Sequence, residues 1–200
     1  MTDDPVGAII LAGGTSSRMG QDKAMLTHNG MTFLEHTICK MLTVATDIIV
    51  VVDTPDKYSI PCGRLLADLY PDTGPVGGIL TGLMALPHGY HYVVACDMPD
   101  ISVAVLELLY KAATLPYDAI LPEINGFVEP LCGVYSHTAK PKLMAFLESG
   151  KRAAREAVSL LRVKRVGEGV LRRVDPECKS FENINTMEDL ARFQQRTRFR

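Results

Sequence analysis

Short stretches that are apolar at consecutive positions, rather than at alternate ones, set the strongest limit on how this chain can fold. Residues 6–11, 47–52, 92–96 and 118–121 all have this character. A strand exposed on one face alternates, whereas a strand covered on both faces does not. The second pattern belongs to parallel sheets packed between helices. Helical periodicity fills the gaps between these runs. Thr32 and Glu35 form a capping-box pattern, followed by Leu34, Ile38, Met41, Leu42 and Ala45 at helical spacing. Ser102 can cap a helix through Leu109, and Gly150 can end one carrying Leu143, Phe146 and Leu147. Thr186, with Glu188 and Asp189, opens a final helix whose acidic first turn complements its dipole. The predicted fold class is α/β, a three-layer, doubly wound, mostly parallel sheet. The less regular segment 131–166 is expected to supply an antiparallel edge strand and a lobe over the site.

Composition narrows the class further. With 200 residues, 47% of them hydrophobic, the chain can bury one core without disulfide or metal staples, and residues 1–200 are expected to form one domain. No repeat, low-complexity tract or linker-like break interrupts it. The 21 basic and 23 acidic side chains nearly balance, so neither a nucleic acid partner nor an acidic disordered segment is indicated. The five cysteines are scattered without C-x-x-C spacing, which argues against a disulfide framework or zinc knuckle and suits a reducing cytoplasm. The longest apolar runs are strand-sized, so no membrane association is expected, and the acidic start of the chain lacks the features of a signal peptide. The expected location is cytoplasmic.

In open α/β sheets ligands bind beyond the carboxyl ends of the strands. The first strand runs directly into Leu11-Ala12-Gly13-Gly14-Thr15-Ser16-Ser17-Arg18-Met19-Gly20-Gln21-Asp22-Lys23. Small residues let backbone amides approach phosphate oxygens, and Arg18 and Lys23 add two cations to the same loop. Its spacing is that of neither a P-loop nor G-x-G-x-x-G, and a flexible glycine turn with surface charges is the competing reading. Another strand ends at Cys96-Asp97-Met98-Pro99-Asp100. Asp97 can cap this turn or hold a hard cation such as Mg²⁺, which needs only one or two carboxylates besides substrate phosphates. Opposite a glycine-rich loop with two cations, the cation reading is favoured. Gly74-Pro75-Val76-Gly77-Gly78 begins a further helix, with room for a base or ribose against its backbone. Turn chemistry accounts for Asp72, whereas for Asp53 and Asp68 turn and ligand roles stand level. Asn183 and Asn185 alternate in an extended segment and can share one face, although either can also be an ordinary residue before a helix cap. The five histidines show no ligand spacing. Lys151, Arg152 and Arg155 read as the solvated face of a helix.

The loop from Leu11 to Lys23 resembles the signature L-A-G-G-x-S-x-R-M-G-x-D-K of the molybdenum cofactor guanylyltransferases (the MobA family) at every fixed position, and the match continues at Ala24. Asp68 ahead of Gly74-Pro75-Val76-Gly77-Gly78, Cys96-Asp97-Met98-Pro99, Glu129-Pro130-Leu131-Cys132 and Phe181-x-Asn183-x-Asn185-Thr186 extend the likeness over nearly the whole chain. The glycine pair after Ala12 looks like the guanylyl branch rather than the cytidylyl branch, which reads L-A-A-G. The resemblance implies a Rossmann-like nucleotidyltransferase that uses Mg²⁺ to transfer GMP from GTP to molybdopterin, releasing pyrophosphate. By position, it implies nucleotide contacts from Leu11, Ala12, Gly13, Gly14, Lys23, Asp53, Asp68 and Asp97. Arg18, Lys23 and Asp97 would be catalytic, with Mg²⁺ on Asp97, and Asn183 and Asn185 would lie on the acceptor side. Other cofactor-biosynthesis proteins or apo-molybdoenzymes are candidate protein partners. Met187 stands where proline is common, Val76 where leucine is usual, and Asp53 where asparagine is common. Two rival functions remain: a cytidylyl or sugar- or alcohol-phosphate nucleotidyltransferase of the same fold, and a nucleotide-binding module without turnover.

Overall fold

The computed structural model of the chain describes residues 6–13 and 22–197. The first strand, β1 (Gly7–Leu11), is buried at every position. After the loop, a small hairpin pairs β2 (Thr27–His28) with β3 (Met31–Thr32). Asn29 and Gly30 between them both have positive φ, as a two-residue hairpin turn requires. The Thr32–Glu35 capping box forms as expected and starts α1 (Phe33–Met41): Glu35 donates its amide to Thr32 Oγ1 at 3.1 Å, and Thr32 donates its amide to Glu35 Oε2 at 2.7 Å. The chain then runs through β4 (Asp47–Val52), β5 (Arg64–Ala67), α2 (Pro75–Ala85), β6 (Tyr90–Ala95) and α3 (Val103–Lys111). It continues with β7 (Ala119–Ile124), β8 (Phe127–Val128), β9 (Cys132–Ser136), α4 (Lys140–Glu148) and α5 (Ala154–Ser159). It ends with β10 (Val163–Gly167), the single turn α6 (Glu168–Leu171) and α7 (Met187–Thr197).

The main sheet has the order β10-β7-β9-β6-β1-β4-β5, with β8 paired to β7 at its margin. β1 is parallel to both β4 and β6, and β4 is parallel to β5. Successive residues of one strand feed opposite cores, which is what doubly wound means physically. Ala8 and Ile10 pack with Leu34, Ile38 and Met41 of α1 and Val105 and Leu109 of α3. Ile9 and Leu11 pack with Leu80 and Leu83 of α2 and Leu143 and Phe146 of α4. Gly82 lets α2 lie close on the sheet, because a Cβ there would stand 2.4 Å from Ile9. Each such aliphatic side chain, fully buried, contributes about 1.5–3 kcal/mol.

Segment 131–166 does contain an antiparallel strand, in the middle of the sheet rather than at its edge. β9 runs antiparallel to both β6 and β7, while the edge strand β10 is parallel to β7. All five residues of β9 are buried, a burial that an edge would not provide. Two helix boundaries also differ in detail. Ser102 precedes α3 but makes no capping bond with its side chain. Its amide instead donates to Ser180 Oγ at 3.0 Å. Lys151 and Arg152 precede α5, so of the three basic residues only Arg155 is helical. Gly150 ends the preceding helix region at φ +81°, as expected. Among the described residues, no helix is long and apolar enough to cross a membrane.

Candidate active site

The carboxyl ends of β1, β4, β5 and β6 lie side by side, and backbone bonds extend their ladder into the loops. Ala12 donates its amide to the Val51 carbonyl at 3.0 Å, Cys96 to Leu11 at 3.1 Å and Asp68 to Val52 at 2.8 Å. A cavity of about 460 Å³ opens over the β1, β4 and β5 ends, lined by Leu11, Gly13, Asp53, Asp68, Gly74 and Gly78 among others. Gly13 forms its floor at close quarters: a Cβ there would stand 2.8 Å from the Asp53 amide nitrogen. At the far wall Gly74, at φ +66°, is the N-cap of α2 ahead of Pro75, and as a glycine it brings no capping side chain of its own. The positive end of that helix therefore borders the cavity without a side-chain acceptor from its N-cap residue.

The predicted residues divide by how firmly they are held. Asp68 Oδ1 accepts from the Tyr70 amide at 2.9 Å and from the buried Thr81 hydroxyl at 2.8 Å, which fixes the carboxylate against the start of the cavity wall. Asp53 is exposed at the rim, its Oδ1 accepting from its neighbour Thr54 at 2.8 Å, the bond of a turn residue. Asp72 has φ +61°, which fits the turn role assigned to it. Gly14 and Arg18 lie outside the described residues.

On the other side of β1 the polar side chains converge. Lys23, at the start of a single 3₁₀ turn capped by Asp22, places Nζ 2.9 Å from Asp97 Oδ2 and 2.6 Å from Asn185 Oδ1. The Lys23 and Asp97 side chains are only 19% and 21% exposed, so the pair is shielded from the screening that weakens surface ion pairs. Asp97 follows β6, and its carbonyl accepts from the Ile184 amide at 2.9 Å, which docks the 183–185 segment on the same turn. Among the described residues, two buried side-chain oxygens have no hydrogen-bond partner: Asp97 Oδ1 and Asn183 Oδ1. Buried acceptors are nearly always satisfied, so each of these oxygens can take a further donor, and the Asp97 oxygen a cation. The asparagines are thus brought together with the lysine and aspartate, and Asn185 is joined directly to Lys23 at the end of the glycine-rich loop.

Three neighbours escaped the sequence reading. The Tyr58 hydroxyl donates to Asp22 Oδ2 and lies 3.3 Å from the Ala12 carbonyl, tying together the two described ends of the glycine-rich loop. Burial, and then the Asp22 contact, push its phenol well above the usual range. Glu129 accepts from the Leu131 amide at 2.9 Å. Burial pushes its carboxyl up, the charge on Asp97 adds to the effect, and the Leu131 amide and Arg155 oppose it. Arg196 of α7 pairs with Asp100 in the turn after Asp97. Glu129 had a sequence signal, its place in a matched motif, but Tyr58 and Arg196 had none. Burial pushes the Cys96 thiol, next to Asp97, well above its ordinary value.

Residues 8–166 match the family model described as MobA-like NTP transferase domain. The chain belongs to this family. A molybdenum cofactor guanylyltransferase from Desulfosudis oleivorans is 35% identical over 190 residues, covering 94% of both chains. A probable molybdenum cofactor guanylyltransferase from Peptoclostridium acidaminophilum is 34% identical over 197 residues, covering 95% of this chain and 89% of its own. Among solved structures, molybdopterin-guanine dinucleotide biosynthesis protein A from Archaeoglobus fulgidus superposes with a TM-score of 0.83 at 28% identity, covering 95% of this chain and 97% of its own. Membership makes this chain a nucleotidyltransferase enzyme.

Proposed function

We propose that this enzyme acts in molybdenum cofactor biosynthesis, transferring GMP from GTP to molybdopterin to give the guanine dinucleotide form and pyrophosphate. The observation that carries the reading is the meeting of Lys23 with both Asp97 and Asn185 across β1 from a glycine-floored cavity. The base and ribose fit the cavity side, over Leu11, Gly13, Asp53 and Asp68. The phosphates would cross β1 towards Lys23, and the acceptor would approach from Asn183 and Asn185. The names carried by the relatives from Desulfosudis oleivorans and Peptoclostridium acidaminophilum support the choice of guanylyl group and acceptor.

The acceptor phosphate is already an anionic nucleophile, so no general base is required. One of its oxygens forms a bond to the α-phosphorus of GTP as the α–β bridging bond breaks, and the electron pair leaves with pyrophosphate. The obstacle is repulsion between anions. Lys23 offsets it with a fixed, partly buried charge, and Arg18, in the same loop, is assigned the same task. The donor set suits Mg²⁺: Asp97 Oδ1 is an unsatisfied buried carboxylate oxygen, and hard oxygen ligands are what this cation selects. Bound there, Mg²⁺ would supply charge neutralisation at the phosphates. Among the described residues no cluster of three metal-ligating side chains exists, which fits a cation that takes most of its ligands from substrate and water. Asn183 Oδ1 offers an acceptor to the N–H groups of a pterin. The five free thiols suit catalysis in a reducing cytoplasm.

The test is pyrophosphate release with molybdopterin and each of GTP, ATP, CTP and UTP, with and without Mg²⁺. Release with GTP alone, dependent on Mg²⁺, is expected. Equal or faster release with CTP would move the protein to the cytidylyl branch, and release without Mg²⁺ would remove the metal from the reading.

A further inference from the structure

The segment bearing Asn183 and Asn185 belongs to no strand and stands between a 3₁₀ turn and α7. Its position over the site is set by what fastens it to the turn that carries Asp97. Apart from the Lys23 ammonium, which itself bridges Asp97 Oδ2 and Asn185 Oδ1, three fastenings hold it, and two of them are neutral: the Ile184 amide on the Asp97 carbonyl at 2.9 Å, and the Ser102 amide on Ser180 Oγ at 3.0 Å. The third is ionic and comes from the last turn of α7. Arg196 donates one guanidinium nitrogen to Glu182 Oε2 at 2.5 Å and the other to Asp100 Oδ2. Glu182 immediately precedes Asn183, and Asp100 lies three residues after Asp97. One planar guanidinium therefore spans the two pieces of backbone that carry Asn183 and Asp97.

We propose that Arg196 is a positioning residue of the transferase site, setting the distance between the Asp97 turn and the Asn183–Asn185 segment. The proposal rests on the reading that this segment serves the acceptor. The guanidinium is planar and its donors have fixed separation, so gripping two carboxylates at once fixes the distance between them, which a lysine point charge does not do. Its removal also leaves Glu182 and Asp100 as like charges facing each other, which drives the segment away from the turn. Arg196 lies over the Phe193 ring at 6.0 Å, but the docking of α7 rests mainly on apolar burial. Leu190 and Phe193 already bury that helix against Leu26, Phe33 and Ile184. The Asp97 turn itself is held from another side by the Lys40 ammonium on the Pro99 carbonyl. What Arg196 adds to this frame is the spacing.

The experiment compares Arg196→Gln and Arg196→Lys with the unaltered full chain. It measures the apparent KM for molybdopterin, GTP binding by calorimetry, kcat, the melting temperature and hydrogen exchange at the Ile184 amide. Arg196→Gln is expected to raise the molybdopterin KM about tenfold, the scale of effect expected when a bound group is misplaced by a fraction of an ångström. GTP binding should stay within about twofold, and Ile184 should exchange faster. Arg196→Lys should recover part of the KM loss. Unchanged KM with a lowered melting temperature would make the arginine structural only, and equal losses for GTP and molybdopterin would overturn the positioning role. If the unaltered protein does not use molybdopterin, the functional reading has failed, and Ile184 exchange then decides the fastening by itself. Faster exchange in Arg196→Gln upholds it, and unchanged exchange overturns it.

Discussion

Asp97 and Asp118 both carry a carboxylate into the protein beside a lysine, at opposite ends of the same sheet, and they are treated in opposite ways. Asp118 precedes β7 at the amino end and is fully buried. Its Oδ1 accepts from the Thr138 hydroxyl at 2.9 Å and from Arg162 at 3.1 Å, and its Oδ2 accepts from Lys142 at 2.6 Å and the Arg162 amide at 2.7 Å. Burial alone would raise this carboxyl, but the bonds from Arg162, Lys142 and Thr138 outweigh it and hold the group well below the usual carboxylate range. Asp97, at the carboxyl end, has one oxygen on Lys23 and a buried second oxygen with no partner among the described residues. A carboxylate with every lone pair engaged ties α4, β7 and the entry to β10 together. A carboxylate left half-engaged is what a cation site needs. The contrast shows that saturation, more than the mere presence of an ion pair, separates the structural end of the sheet from the chemical end.

The comparison makes its first demand at Asp118. Asp118→Ala should cost about 1–3 kcal/mol of stability, because the Thr138 hydroxyl and the Arg162 amide lose their acceptor while the part-exposed Lys142 and Arg162 side chains turn to water, with kcat per folded molecule unchanged. Urea unfolding measures the first and active-site-normalised rates the second, and a loss of rate without a loss of stability would reverse the assignment. The same depressed carboxyl gives an acid dependence whose sign is definite. Its contribution is complete above the unfolded value of about 3.9 and is lost as pH falls through that value towards the lower folded one. Lys23→Ala should do the opposite of Asp118→Ala, lowering turnover by about 10²–10³ with little change in melting temperature. Normal turnover, or a large drop in melting temperature, would make Lys23 a second structural cation. Asp97→Asn keeps the shape and removes the charge, so it should shift the Mg²⁺ midpoint for activity upward by about tenfold or more. An unchanged Mg²⁺ titration would leave Asp97 as a turn residue.

The smallest effect expected is at His91, near the amino end with Asp118. Its Nδ1 accepts from the Gly7 amide at 3.0 Å, and its Nε2 lies 2.9 Å from the Pro87 carbonyl, so the folded protein holds the ring neutral. Burial is the main cause that pushes its pKa below the ordinary value. Stability from this group is therefore complete above about pH 6.5, the unfolded value, and declines as pH falls below it. Melting temperatures of the parent and His91→Asn between pH 5 and 8 check this, since the amide keeps an acceptor but cannot be protonated. Identical pH slopes would remove His91 from the account.

How much of this was legible in the sequence follows from the range of each contact. The capping box at Thr32, the end of the helix at Gly150 and the span of β4 depend on neighbouring residues, and each forms where local chemistry placed it. The position of β9 between β6 and β7 was missed because a short buried run looks the same at an edge and at a centre until its partners are known. The candidate residues Lys23, Asp97 and Asn185 were individually visible. Their meeting was not, because the bonds that join them span 74 and 162 residues of sequence. Tyr58 and Arg196 carry no local motif at all, and their roles exist only once distant turns are side by side.

The bond from the Ile184 amide to the Asp97 carbonyl has a consequence for the order in which the enzyme comes into being. Chains emerge from the ribosome amino end first, and domains begin folding as they emerge. All strands of the main sheet end by Gly167, so the sheet that frames the cavity can take shape before residues 183–196 have been made. A nascent chain at that stage would hold Asp97 without the segment that completes its surroundings. The surroundings of Asp97 are thus completed last, after the sheet that carries it.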